Sequence, residues 1–198
     1  MNKLITPAAG IVAGRRTFLR TTGTATLSAT AVALMVGCES MAQGTMASPA
    51  NDVATLNVAL GLEHEAIMAY QLGAESKLLQ PGVLQTAVLF QDHHKQHRDA
   101  LIATIRKLGG TPVAEKSKDD YAKALNAGSL KSQADVLHLA QRLEKGAANA
   151  YLGVIPSFSD RGLAQVAGRL AADETMHYTA LTSAMAEMLP QKALTFGA

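Results

Sequence analysis

Two pairs of polar residues, each pair spaced by three, follow two copies of one short motif and could together bind metal ions. The pattern Leu-Glu-x-x-Ala-x-x-Ala-Tyr occurs at residues 62–70 and again at 143–151. His94 and His97 follow the first copy, and Glu174 and His177 follow the second. The motif glutamates lie 81 residues apart, and both positions of the pairs lie 80 apart. A carboxylate followed by such a pair, repeated once, is the ligand order of a di-metal site in a four-helix bundle.

The spacing of apolar residues predicts that both motifs and both pairs lie on helices. Apolar side chains advance by three or four along four stretches, which is the period of an amphipathic helix. The stretches are 52–76, 84–108, 132–155 and 160–188, and Ser132 is a candidate N-cap of the third. Turn-forming residues separate or end them: Pro81-Gly82, Gly109-Gly110, Pro156 and Leu189-Pro190.

Two connections between these helices are short and one is long. The long connection spans residues 111–131, and residues 119–126 within it are compatible with an additional short helix. Two helical hairpins joined by one long crossover make an antiparallel four-helix bundle. The sequence therefore predicts an all-α fold, with the bundle at residues 52–190 and a C-terminal tail at 191–198.

The predicted hairpins bring the polar residues to one level. Glu63 and the His94/His97 pair are nearly equidistant from residue 79, and Glu144 and the Glu174/His177 pair are equidistant from residue 160. Antiparallel helices rise equally per residue, so each set forms one layer, and pairing of the hairpins makes the layers coincide. Burying three carboxylates together is costly unless a cation compensates them. Hydrogen bonding among the glutamates and histidines is the metal-free alternative.

The polar residues near this layer have simpler explanations. Tyr70 and Tyr151 lie two turns from the motif glutamates, and core packing with a satisfied hydroxyl is expected, with a redox role as the alternative. Glu65 points about 160° away from Glu63 and is at most a reserve ligand. Solvated positions are expected for Asp92, His93, His64 and His138, although Asp92 and His93 could instead support the ligands. Met185 and Met188 are expected to fill the core.

Three segments resemble the ferritin-like superfamily, notably its exported bacterial branches. They are residues 59–70, 90–110 and 143–181, and the phrases His97-Arg98-Asp99-Ala100-Leu101 and His177-Tyr178-Thr179-Ala180-Leu181 look like the two ligand-helix signatures. The resemblance spans about residues 52–188. It implies a di-iron or related di-metal centre.

The resemblance also implies roles for the candidate ligands. Glu63 and Glu144 would be terminal or chelating ligands, Glu174 would bridge, and His97 and His177 would each cap one metal. The family pattern would have glutamate where this chain has His94. Three carboxylates cannot balance two divalent cations, so a bridging hydroxide or a single metal becomes more favourable. Imidazole bridges only as its anion, so terminal binding by His94 is an alternative.

The N-terminal residues resemble an export signal. Arg15-Arg16-Thr17-Phe18-Leu19-Arg20 is similar to the twin-arginine signal. The mildly apolar, Thr-rich stretch that follows is short and suits a signal segment better than the alternative, a membrane anchor. Residues 1–38 are therefore predicted to be a signal peptide and 39–51 a flexible tether. The single cysteine, Cys38, follows Leu34-Met35-Val36-Gly37, which resembles a lipoprotein cleavage site. Cleavage near Ala47–Ala50 is the competing interpretation and would discard Cys38.

Composition narrows the function further. Without the four basic residues of the signal the chain has 14 basic and 16 acidic residues, so its net charge is −2 rather than +2. No basic patch with interleaved aromatic residues appears, so no nucleic-acid partner is expected. The mature protein is expected in the periplasm or cell envelope, tethered to the membrane if Cys38 is lipidated. A dimer is compatible with the sequence.

The expected cofactor is a pair of divalent metal ions, iron first and manganese second, because carboxylate-rich ligation suits them better than copper or zinc. One hypothesis is oxidation of ferrous iron, or reduction of small oxidants such as oxygen or hydrogen peroxide. Another is metal binding without catalysis, for stability, sensing or sequestration. A third is a metal-free helical module in which the polar layer only fixes helix register.

Overall fold

A computed structural model describes residues 48–197, and its regular elements in that range are helical. Five α-helices follow one another along the chain: α1 Pro49–Glu75, α2 Pro81–Lys107, α3 Lys118–Ala124, α4 Gln133–Val154 and α5 Arg161–Ala184. Short 3₁₀ turns occupy Ala127–Ser129 and Ile155–Ser157. The predicted all-α class is confirmed. The predicted signal, Cys38 and most of the predicted tether lie outside the described residues.

The four long helices associate in two pairs. Helix α1 packs along α2, α4 packs along α5, and contacts of α1 with α4 and of α2 with α5 join the pairs. Helix α3, in the connection between the pairs, packs on α1. Tyr121 of α3 and Leu125, directly after it, are buried against Ala69 and Leu139. The short helix expected at 119–126 is therefore present at Lys118–Ala124.

Two of the three apolar core clusters in the described range contain residues of all four long helices. The first contains Leu60 of α1, Leu101 of α2, Tyr151 of α4 and Leu170 of α5. The second contains, in the same helix order, Tyr70, Phe90, Ala140 and Leu181. In each helix the candidate metal ligands lie between the members of these two clusters in sequence. A polar layer is thus enclosed by apolar side chains on both sides, which keeps water away from it.

Sequence signals account for most of the helix ends. Ser132 caps α4 in a capping box with Asp135, as predicted. Helix α2 ends in a Schellman motif, since Gly110 N–H donates to the Ile105 carbonyl at 2.9 Å and Gly109 adopts a φ of +79°. Helices α1 and α2 begin at prolines, Pro49 and Pro81, three residues before the predicted starts. Proline suits the first helical position because its missing N–H has no partner there anyway.

Helix α5 ends earlier than predicted. Its last residue is Ala184, and Ala186 at a φ of +55° turns the chain away, with Glu187 N–H donating to the Thr182 carbonyl at 3.1 Å. Met188 is consequently 79% exposed, so its assignment to the core was wrong. The Leu189-Pro190 sequence limits how far a helix can run without fixing where it stops. Met185 does pack against the second apolar cluster.

A buried carboxylate ties the start of α1 to the turn between α4 and α5. Asp52 is 2% exposed and accepts hydrogen bonds from the backbone N–H of Ser159 at 3.0 Å and from the Ser159 hydroxyl. This contact joins residues 107 positions apart and helps to align the two helix pairs. Within residues 48–197, no helix is both long enough and apolar enough to cross a bilayer.

Candidate metal centre

Four different helices supply the six predicted ligands. Helix α1 carries Glu63, α2 carries the His94/His97 pair, α4 carries Glu144, and α5 carries the Glu174/His177 pair. All six side chains are buried, and Glu174 and His177 are 0% exposed. The residues that sequence spacing placed at one level are therefore brought together, with their polar atoms facing one another.

The six residues form two overlapping groups of potential ligands. The Glu63 group consists of Glu63, His94, His97 and Glu174; the Glu144 group consists of His94, Glu144, Glu174 and His177. In each group, one ligand atom per residue lies within 4.8 Å of the others. Each group thus has a glutamate and a histidine of its own, and the two groups share His94 and Glu174.

Glu174 spans both groups. Its Oε1 atom lies 3.3 Å from Nδ1 of His97, and its Oε2 atom lies 3.3 Å from Nδ1 of His177. Neither oxygen accepts a hydrogen bond from any residue in the described range, and His97 Nδ1 is likewise without a hydrogen bond there. Buried carboxylate oxygens are rarely left in this state. They face the interior of the cluster, where a cation would satisfy them.

His94 also spans both groups, with one ring nitrogen on each side. Its Nδ1 atom lies 2.8 Å from Glu63 Oε2, and its Nε2 atom lies 3.2 Å from Glu144 Oε1. A protonated imidazole can donate to both carboxylates at once. A neutral imidazole has a single lone pair and can bind one cation, on one side only.

The outer nitrogens of His97 and His177 have different partners. His97 Nε2 lies 3.3 Å from Asp173 Oδ2, whereas His177 Nε2 lies 2.9 Å from Nδ1 of His93. The expectation that His93 is merely solvated is therefore wrong. Asp173 was not predicted as part of the site. The repeat does contain a signal for it, since His93 and Asp173 are 80 residues apart, like the paired ligands.

Two tyrosines link the helix pairs through the glutamates. The Tyr70 hydroxyl donates to Oε1 of Glu144, and the Tyr151 hydroxyl donates to Oε1 of Glu63. Both phenols are buried. Both hydroxyls are thus hydrogen-bonded, as predicted. Each tyrosine lies in one copy of the sequence repeat, and its partner glutamate lies in the other copy. The contact holds the carboxylates in orientation.

The protonation of the cluster follows from competition between burial and contact. Burial favours the neutral acid, but contacts with His94 and His97 outweigh it and lower the pKa of Glu63 to about 2. Burial favours neutral imidazole, but the carboxylates of Glu174 and Glu63 raise the pKa of His97 to about 10. Against the same effect of burial, Glu144 and Glu63 raise the pKa of His94 well above its ordinary value. Without a cation, protonated imidazoles therefore balance the carboxylates.

The pKa of Glu174 differs from those of the other two glutamates. Burial raises it, and contacts with His177 and His97 do not fully offset that effect. Glu174 is thus the carboxylate that protein groups compensate least. Its two unpaired oxygens and its position between both groups make it the residue that a cation would stabilise most. The donor set of the cluster fits a divalent cation on these grounds.

The remaining polar residues lie outside the cluster. His138 is exposed, as predicted, and Glu65 belongs to neither group. His64 is 7% exposed, so its predicted surface position was wrong. Its Nε2 atom lies 3.3 Å from the Val113 carbonyl, because the connection after α2 runs over this face of α1. Periodicity within a helix contains no information about which loop covers it.

An apolar cavity lies beside the polar layer. Its volume is about 200 Å³, and Tyr70 forms part of its wall together with small and aliphatic side chains, among them Leu79, Val83, Ala140 and Leu181. The Tyr70 hydroxyl, which donates to Glu144, lies on the same ring that forms this wall. Tyr70 thus contacts both the cavity and the cluster.

Comparisons with known proteins agree with this architecture. A family model described as a ferritin-like domain matches residues 51–187. Among solved structures, the chain is similar to that of a conserved hypothetical protein from Mycobacterium tuberculosis, with a TM-score of 0.59 and 23% sequence identity. The alignment covers 74% of this chain and 99% of the other, and at this identity the likeness concerns the fold alone. A search of curated proteins found no significant match.

Proposed function

This chain belongs to the ferritin-like domain family, and from that premise we propose that it binds two divalent metal ions in the buried cluster. The fold for this function is an antiparallel four-helix bundle of two hairpins joined by one long crossover. The Glu63 group would hold one ion and the Glu144 group the other. Iron is the first candidate and manganese the second, since three carboxylates suit both metals.

The observation that carries this proposal is the state of Glu174. A fully buried carboxylate whose two oxygens accept no hydrogen bond among residues 48–197 is costly in a protein interior. Each oxygen faces a different group of potential ligands. A pair of cations would compensate both oxygens at once, which is why two ions are proposed instead of one.

The proposed activity is oxidation of ferrous iron by a small oxidant such as oxygen or hydrogen peroxide. When bound, a pair of iron ions would supply electrons to the oxidant. The chain's residues hold the ligands in place: Tyr70 and Tyr151 orient the motif glutamates, and the enclosing apolar clusters exclude water. The cavity beside Tyr70 is apolar and would suit oxygen better than peroxide.

One observation favours a second candidate function without catalysis. Because His94 can donate to both Glu63 and Glu144, much of the cluster can satisfy itself when its histidines are protonated. A protein whose polar layer only fixes helix register, or which binds metal without turnover, would have this property too. The two candidates differ in metal content and in oxidant consumption.

The test is the metal content of the protein. We expect about two iron ions per chain after anaerobic loading with ferrous iron, none in the Glu63→Gln/Glu144→Gln double variant, and two in the matched control Glu65→Gln. Admission of oxygen should then change the iron absorbance only in the wild type and the control. Equal iron in the double variant, or none in any protein, would overturn the proposal. Stoichiometric iron without an absorbance change would favour binding without catalysis.

We also propose that the protein acts in the periplasm or cell envelope. The support is the resemblance of residues 15–20 to a twin-arginine signal and of residues 34–38 to a lipoprotein cleavage site. Replacing Arg15 and Arg16 by lysine should leave the precursor in the cytoplasm. If Cys38 is lipidated, Cys38→Ala should move the exported protein from the membrane fraction to the soluble one. Normal export of the double-lysine variant would contradict the twin-arginine proposal.

A further inference from the structure

The two groups of candidate ligands are alike except for what lies behind their capping histidines. Asp173 contacts His97 in the Glu63 group, and His93 contacts His177 in the Glu144 group. Both contacts involve Nε2, and in both groups Nδ1 is the nitrogen that faces the glutamates. The inner halves of the two groups therefore match, and the outer halves differ in charge.

This difference changes the strength of the two histidines as ligands. A histidine that binds a cation through Nδ1 carries its proton on Nε2 and donates it outward. His97 would donate to a carboxylate, which makes the imidazole a stronger ligand and adds negative charge near the cation. His177 would donate to His93, whose accepting nitrogen requires a neutral ring. The Glu63 group thus has the stronger and more anionic ligand set.

His94 adds a second source of inequality. Its two nitrogens face different groups, and a neutral imidazole offers a lone pair to only one of them. If Nδ1 binds a cation in the Glu63 group, the proton on Nε2 points to Oε1 of Glu144, which already accepts from Tyr70. Binding of the first ion therefore leaves a weaker set of metal ligands for the second ion.

We propose that the two groups bind divalent metal in order, the Glu63 group first and the Glu144 group second, with at least a tenfold difference in affinity. Asp173 decides which group fills first, and His94 and His93 keep the second affinity low. Asp173 and His93 are positioning residues, since they act through His97 and His177. This inference rests on the proposed function, because it concerns the same cluster.

The experiment is a titration of the metal-free, full mature chain with Mn²⁺. Calorimetry and electron paramagnetic resonance monitor the binding. We expect two binding events, with the spectrum of an isolated bound ion at one equivalent and that of a coupled pair at two. Glu144→Gln should retain the tight event, and Glu63→Gln should lose it. These two variants locate the first ion without reference to any enzymatic activity.

Three further variants test the outer residues. Asp173→Asn should weaken the tight event about tenfold, the lower end of effects of such partners, because the Asp173 side chain is 50% exposed. His93→Asp should strengthen the weak event by a similar factor. Asp99→Asn makes the same charge change at an exposed residue that pairs with Arg98, and it should leave both events unchanged.

The outcomes separate this inference from the function on which it rests. Absence of Mn²⁺ binding in every protein would overturn the proposed function itself. Two equal events, or a tight event lost in Glu144→Gln and kept in Glu63→Gln, would overturn the order of filling while leaving metal binding intact. Equal effects of Asp173→Asn and Asp99→Asn would remove the role given to Asp173. Binding of only one detectable ion, lost in Glu63→Gln, would support the proposed order of filling.

Discussion

Tyr70 and Tyr151 each donate a hydrogen bond to a glutamate that would bind metal, and they do so from the opposite helix pair. Each bond fixes one oxygen of its carboxylate, and the other oxygen contacts a histidine of the cluster. We therefore expect Tyr151→Phe to weaken the first Mn²⁺ binding event about tenfold, since partners of ligands typically contribute that much. The control is Tyr178→Phe, because the Tyr178 ring contacts Phe196 away from the cluster. This variant should bind Mn²⁺ normally. Calorimetry measures both, and an unchanged affinity in Tyr151→Phe would contradict this role.

The protonation of His97 predicts how the metal-free protein responds to pH. Its pKa is about 10 in the folded chain against an ordinary 6.5, so folding takes up a proton between these values. The stabilisation is complete below pH 6.5 and is lost as the pH rises towards 10. Urea unfolding in the presence of a chelator should therefore give lower stability at pH 9 than at pH 6. His97→Gln should reduce this slope, and an identical slope would contradict the assignment.

The sequence predicted the six inner residues of the cluster but not the environment around them. Repeat register and helical period define which residues share a level, so the spacing alone was enough to place Glu63 level with the His94/His97 pair. His64 was misplaced because the loop that buries it comes from residues about 50 positions away. The sequence leaves open whether His93 is solvated or supports a ligand, because that depends on the neighbouring helix.

At the scale of the helix, the end of α5 contains local strain. Ala186 has a φ of +55°, in the left-handed region that costs a residue with a Cβ about 1–2 kcal/mol. Ala186→Gly should raise the free energy of unfolding by roughly 0.5–1 kcal/mol, after the greater flexibility of glycine in the unfolded chain is subtracted. Ala184→Gly, two residues earlier in the helix, should lower it by a similar amount. Urea denaturation distinguishes the two signs, and destabilisation in both would argue against the left-handed end.

Helix existence was easier to predict than helix ends. Ser132 and Gly109-Gly110 were found because a capping side chain and a glycine at positive φ have local physical causes. Helix α5 ends at the left-handed Ala186, and beyond it the Glu187 side chain accepts a hydrogen bond from Gln141 of α4 at 3.1 Å. The apolar period of α5 encodes neither feature, so it did not define where the helix ends.

For the whole molecule, metal binding and stability should be linked. Free Mn²⁺ at a hundred times its dissociation constant should stabilise the fold by about 2.7 kcal/mol, or roughly 5–10 °C in Tm. The raised pKa values of His94 and His97 mean that a cation displaces protons when it binds. The stabilisation by a fixed metal concentration should therefore be larger at pH 8 than at pH 6. Thermal unfolding with and without chelator measures it. An increment independent of pH would indicate binding outside the cluster.

The reciprocal tyrosine contacts have a consequence for the architecture of the chain. Tyr70 reaches Glu144 and Tyr151 reaches Glu63, which is the exchange expected across an isologous interface between two copies of one hairpin. A polypeptide cut between residues 111 and 131 would give two fragments, each with a phenol that lacks its acceptor. Neither fragment could complete its own interior, whereas the two mixed together could reassemble. The continuous chain thus behaves as a covalently fused heterodimer of two related hairpins.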